Sequence, residues 1–284
     1  MTVAILALWA PAPAAEANRS LWWLAPFAVA LGFAWSSGIV LPVGLLWLAA
    51  LMAVAWAFSR DTAPRGWKIA AGVALLILGA GLLTHRLPGF NNPRVLAGVL
   101  FTPDAIPYRL HLNLDKVAFG LVFIGWCHSR ATRAVEWRTL LSRAAPVAGG
   151  LIATILVTSL AFGYVRFAPK FPVEAWLWLW ANLFLTCLAE EAFFRGFVQG
   201  QLQRIWQRLP RGQWLALLTA AVLFGVAHVA GGPVYVALSA LAGVGYGWAY
   251  LRTGGRVEAS ILTHFALNTV HFFAFTYPAL RTAT

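Results

Sequence analysis

From Leu21 to Ser59 the chain runs without a single Lys, Arg, Asp or Glu. A helix needs about 20 apolar residues to cross the hydrocarbon of a bilayer. This run is long enough for two, divided near Ser36-Ser37-Gly38. Further apolar windows lie at 69–83, 117–128, 146–164, 175–200, 214–229, 234–251 and 257–275, of which 117–128 is the weakest. Charged side chains make up only 11% of the 284 residues and hydrophobic ones 61%, with a mean hydropathy of +0.74. Soluble domains carry about 25% charged residues, so a soluble globule, a disordered chain and a disulfide-stapled secreted domain are all excluded. The expected fold class is all-α, a polytopic transmembrane helix bundle of about eight or nine spans.

The net charge is +12, from 21 Lys+Arg against 9 Asp+Glu. In a soluble protein that excess would suggest nucleic acid. No basic run interleaved with exposed aromatics is present, and basic loops that set topology account for it better. Alternating spans put thirteen basic residues on one side, from Arg19 through Arg60, Arg65, Lys68, Arg130, Arg133, Arg138, Arg143, Arg204, Arg208, Arg211 and Arg252 to Arg256. The other side holds seven: Arg86, Arg94, Arg109, Lys116, Arg166, Lys170 and Arg281. The positive-inside rule makes the first side cytoplasmic, in a multi-pass protein of a bacterial-type inner membrane. Arg195 remains, inside a span. Cys127 and Cys187 both sit in apolar stretches without a C-x-x-C spacing and read as free thiols.

Residues 1–20 read as a short unstructured lead-in. No Lys or Arg precedes its apolar stretch, so the charged start of a secretory signal is missing. Residues 21–145 read as N-terminal transmembrane helices and 146–284 as a C-terminal helical core. Between the third and fourth windows, His85 to Lys116 is a 32-residue connection with four prolines and adjacent asparagines. It is long enough to be functional, as a lid on the membrane surface or as a plain structured loop.

Ionisable groups inside spans are costly and mark functional sites. Glu190 and Glu191 lie side by side in the 175–200 window. Glu191 and Arg195, at i and i+4, share a helix face and pair, while Glu190, turned about 100° away, points elsewhere. The 214–229 window ends in Phe224-Gly-Val-Ala-His228, and the last window carries His264, Asn268 and His271 as a polar stripe. Ser239, Gly243 and Gly247 form a small-residue ladder suited to close helix packing.

Glu190-Glu191-Ala-Phe-Phe-Arg195, then Phe224-xxx-His228, then His264-xxx-Asn268 resemble the three signature motifs of the CPBP family, the CAAX-processing and bacteriocin-processing intramembrane endopeptidases. The resemblance covers about residues 175 to 275. It implies that Glu190 and His228 activate a water for attack on a peptide bond, and that His264 and Asn268 stabilise the oxyanion. Glu191, Arg195 and Phe224 would be supporting residues, and His271 lies outside the motifs. The chemistry is coherent: a carboxylate held from water is a better base, an imidazole relays the proton, and imidazole and amide donors suit an oxyanion hole. No Ser or Cys stands beside a base in these motifs, so direct attack by water is expected, with no cofactor. An alternative keeps the reaction and makes Glu190, His228 and His264 a zinc set, although no H-E-x-x-H pair is present. A transporter or a non-catalytic scaffold with a buried polar site is the alternative of another class. The expected partners are a protein or peptide substrate at the membrane and the lipid bilayer, with no nucleic acid.

Overall fold

The computed structural model describes residues 1–10 and 21–283. Ten helices and one β-hairpin follow in chain order: α1 (Thr2–Ala7), α2 (Leu24–Ser36), α3 (Pro42–Ser59), α4 (Arg65–Leu83), β1 (Arg94–Val99), β2 (Tyr108–His111), α5 (Leu114–Cys127), α6 (Ala134–Ala161), α7 (Ala175–Ile205), α8 (Gly212–Ala227), α9 (Gly232–Arg252) and α10 (Val257–Ala274). The molecule is a helix bundle, with several helices apolar enough to span a membrane, and carries one small β-hairpin. Five helices are long and apolar enough to cross a bilayer by length and composition: α3, α4, α6, α7 and the segment Val229–Arg252 around α9. The helices α2 and α8 are apolar but shorter. The expected count of eight or nine spans therefore goes beyond the five that meet these criteria.

Burial divides the helices into two kinds. Only 22% of the apolar stretches of α3 and α4 is buried, whereas 67% of that of α7 is. A helix that is apolar all round yet open on its outer face belongs against lipid. The helix at the centre is instead surrounded by protein. In α5 every residue from Val117 to Gly125 is buried, so the weakest window of the sequence is a core helix. Its Gly120 is essential to that packing: a Cβ there would stand 2.6 Å from Leu188 Cδ2 and 2.9 Å from the Ala189 Cα. The end of α5 is closed by Arg130, buried, whose Nη1 donates to the carbonyls of Ile124 and Gly125 at 3.0 Å each. A basic side chain satisfies the orphan carbonyls of a helix C-terminus in just this way.

Three sequence expectations are corrected, and the long connection takes its structured-loop alternative. The lead-in is not unstructured where it is described: Thr2–Ala7 is helical, and Ala4, Ile5 and Leu8 are buried in the main core. Residues 11–20, with Arg19, lie outside the described residues. The 146–164 window is the second half of α6, which starts at Ala134 because Glu136 accepts the backbone N–H groups of Thr132 and Arg133 at 2.9 and 3.1 Å. The 85–116 connection is a structured hairpin, pairing Leu96 with Leu110 and Val99 with Tyr108, and its last residues already belong to α5. Lys116 is thus a helical residue facing inward. It is not a free loop charge.

Candidate functional site

The Glu190-Glu191 pair sits in an unusual stretch of α7. Residues Asn182–Cys187 and Ala192–Gln199 adopt wider π-helical turns, and a single α-turn, Leu188–Glu191, lies between them. Such turns cluster at functional sites. Both carboxylates point inward and are buried. The expected pairing holds, with Arg195 Nη1 donating to Glu191 Oε1 at 3.1 Å. Arg195 lies 4.4 Å over the Phe224 ring, and its Nη2 donates to the Gly243 carbonyl at 3.2 Å. A Cβ at Gly243 would meet that nitrogen at 3.1 Å. The small-residue ladder of α9 therefore does more than pack: it brings a backbone acceptor to the buried guanidinium, and Gly247 does the same for Gln199 at 3.1 Å.

Glu191 has a second partner that the sequence did not show. His264 Nδ1 lies 2.8 Å from the same Oε1. A carboxylate accepts, so Nδ1 carries the proton and the ring is oriented with Nε2 outward from the pair. Tyr246 stacks on the other side of that ring at 4.4 Å. His228 caps the end of α8, and Gly231 caps the start of α9, whose first turn carries Pro233. The Nδ1 of His228 donates to the Phe224 carbonyl at 2.7 Å. A carbonyl cannot donate, so in the neutral ring Nε2 is a free lone pair. Asn268 Nδ2 donates to Asn182 Oδ1 at 3.3 Å and to Cys187 Sγ at 3.8 Å.

Glu190, His228, His264 and Asn268, from three separate helices, line one cavity of about 570 Å³. His271 lines it as well, with Nε2 donating to the Thr276 carbonyl at 3.1 Å. The rest of the wall is largely aromatic and aliphatic, including Tyr108, Tyr235, Tyr277, Ile155 and Leu156. Burial raises the phenols of Tyr108 and Tyr277 above their ordinary range, so both remain neutral hydrogen-bonding groups. Trp178 Nε1 donates to the Tyr277 oxygen at 3.1 Å. Two members of the wall, Ile106 and Tyr108, come from the hairpin, outside the region that carries the motifs.

Glu190 also departs from expectation. It is not a lone carboxylate in an apolar wall, because Lys116 Nζ of α5 stands 2.5 Å from its Oε1. Among the described residues no three His, Cys, Asp or Glu side chains are placed to hold a metal ion. Of the alternative zinc set, Glu190 Oε1 is engaged by Lys116, whereas His228 and His264 use only Nδ1 for their protein partners. Cys187 is buried, with its Sγ 3.3 Å from Asn182 Oδ1 and 3.8 Å from Asn268 Nδ2.

Comparison with known proteins bears on this site. Residues 172–270 match the family described as type II CAAX prenyl endopeptidase Rce1-like. That stretch runs from the start of α7 into α10 and contains all three motifs. The resemblance read from the motifs and the family match fall on the same stretch of the chain. No curated protein and no solved structure matches the chain significantly.

Proposed function

We propose that this chain is a multi-pass intramembrane endopeptidase that hydrolyses a peptide bond of a membrane-associated or lipid-modified protein. The observation that carries this reading is the convergence of Glu190, His228, His264 and Asn268 on one cavity within the family-matched stretch. A water held between the Glu190 carboxylate and His228 Nε2 gives up a proton to this pair as its oxygen attacks the substrate carbonyl. The carbonyl oxygen becomes an oxyanion, which the Asn268 amide and the His264 Nε2–H would bind. The Glu191 carboxylate is the counter-ion of the doubly protonated His264 ring in that role. The proton held by the Glu190–His228 pair then passes to the leaving amine as the C–N bond breaks. One such oxyanion donor is worth about 3 kcal/mol. The reaction needs no cofactor in this scheme.

The aromatic and aliphatic wall suits an apolar substrate segment delivered from the bilayer. The thirteen-residue basic side faces the cytoplasm in this reading, in a bacterial-type inner membrane. The test compares membrane-peptide pools, by mass spectrometry, of cells carrying the wild-type chain, E190Q or H228A. A peptide processed with wild type and left intact with both variants is the expected result. Identical pools would sink the reading.

A further inference from the structure

Among the described residues, Lys116 is the charged group in contact with Glu190 that the mechanism above does not use. Its ammonium lies 2.5 Å from Glu190 Oε1, and the two side chains are only 13% and 10% exposed. Holding a lysine in one buried geometry costs side-chain entropy, so its placement needs support from the fold. The support is present on both sides. Next to it, Asp115 is buried and accepts from Asn92 Nδ2 at 2.9 Å and from the Lys116 backbone at 2.8 Å, while His85 Nδ1 lies 2.7 Å away. Asn92 in turn accepts from the Leu114 backbone at 2.8 Å. One turn further on, Gly120 lets α5 press directly against Leu188 and Ala189, the residues just before Glu190. The first turns of α5 are therefore fixed at both ends relative to Glu190.

We infer that Lys116 is a positioning residue for the Glu190 carboxylate: it holds Oε1 and leaves Oε2 as the oxygen presented to the attacking water. The inference rests on the proposed role of Glu190. The last torsion of a glutamate is broad and roughly two-fold, so an unclamped carboxylate samples many orientations. A misplacement of about 1 Å at a reacting group can cost about 100-fold in rate. The ammonium also supplies the counter-charge that a carboxylate buried in an apolar wall requires. Substrate binding does not need it, because the clamp acts on the protein's own carboxylate.

The experiment measures turnover of a farnesylated CaaX heptapeptide reporter by the full chain purified in detergent. The variants are K116M, K116Q, K116R, E190Q and K116M/E190Q. Both neutral variants are expected to lose about 100-fold in kcat with KM unchanged. K116R, which keeps the charge and the donors, recovers most of the loss, and K116M adds no further defect to E190Q. K116M and K116Q at wild-type kcat, a loss confined to KM, or K116R as slow as K116M would each overturn the inference. The two readings separate cleanly. An inactive E190Q beside a fully active K116M removes only the role of Lys116, whereas a fully active E190Q removes the base itself.

Discussion

At the scale of single residues, Glu191 is the hinge of the account. One of its oxygens takes both the Arg195 guanidinium and the His264 ring, in a setting where neither Glu191 nor Arg195 is exposed. Breaking one side of a buried pair leaves an uncompensated charge, at about 3–5 kcal/mol. Glu191→Ala and Arg195→Ala are each expected to destabilise the protein on that scale in detergent unfolding, with the double variant E191L/R195M recovering part of the loss. Additive losses would show that the pair is not coupled. A second expectation concerns metal: purified protein should carry zinc well below stoichiometry and keep its activity in a chelator. The sequence made Glu190, Glu191, Arg195, His228 and the α10 stripe legible because charge and imidazole are out of place in apolar windows. Lys116 was hidden for the opposite reason. A lysine at the edge of a polar connection is ordinary, and its partner lies 74 residues away.

At the scale of elements, the crossing of α5 over α7 sets the depth at which Lys116 meets Glu190. Gly120→Ala puts a methyl against the Ala189 backbone, which has no rotamer to yield. Overpacking of this kind costs about 1–3 kcal/mol, so the variant should unfold at lower temperature and lose activity together. An unchanged unfolding temperature would mean that the two helices separate freely. The α5 window is short and apolar all round, and such a pattern fits a membrane span or a buried helix equally. Its location became clear only once its neighbours were in place. The π-helical turns of α7 were not legible either, since no residue pattern distinguishes them from an ordinary helix. The start of α6 was missed because its first turns are polar and lie ahead of the apolar stretch.

At the scale of the whole molecule, the hydrophobic core extends across residue 145. One continuous hydrophobic cluster runs from Ala4 to Leu267, and the N-terminal half supplies Ile106, Tyr108 and Lys116 to the site. Even α1 is tied in, with Trp9 Nε1 donating to Glu258 at 3.1 Å and Trp180 Nε1 to Thr2 at 2.9 Å. Trp9→Phe removes a hydrogen bond to a buried carboxylate, and a loss of about 1.5–3 kcal/mol is expected, read as a lower unfolding temperature. Asp115→Asn should slow turnover without touching the cavity, because it loosens the segment that seats Lys116. These long-range ties were beyond the sequence, where only local windows and motif spacing could be read. Catalysis by the Glu190 carboxylate is the claim on which the rest depends. It is tested most directly by the turnover of chelator-treated, reconstituted E190Q against wild type on a peptide recovered from the cellular comparison. The expected result is a fall of about 100-fold or more with the unfolding temperature unchanged, and turnover within about twofold of wild type would contradict the account.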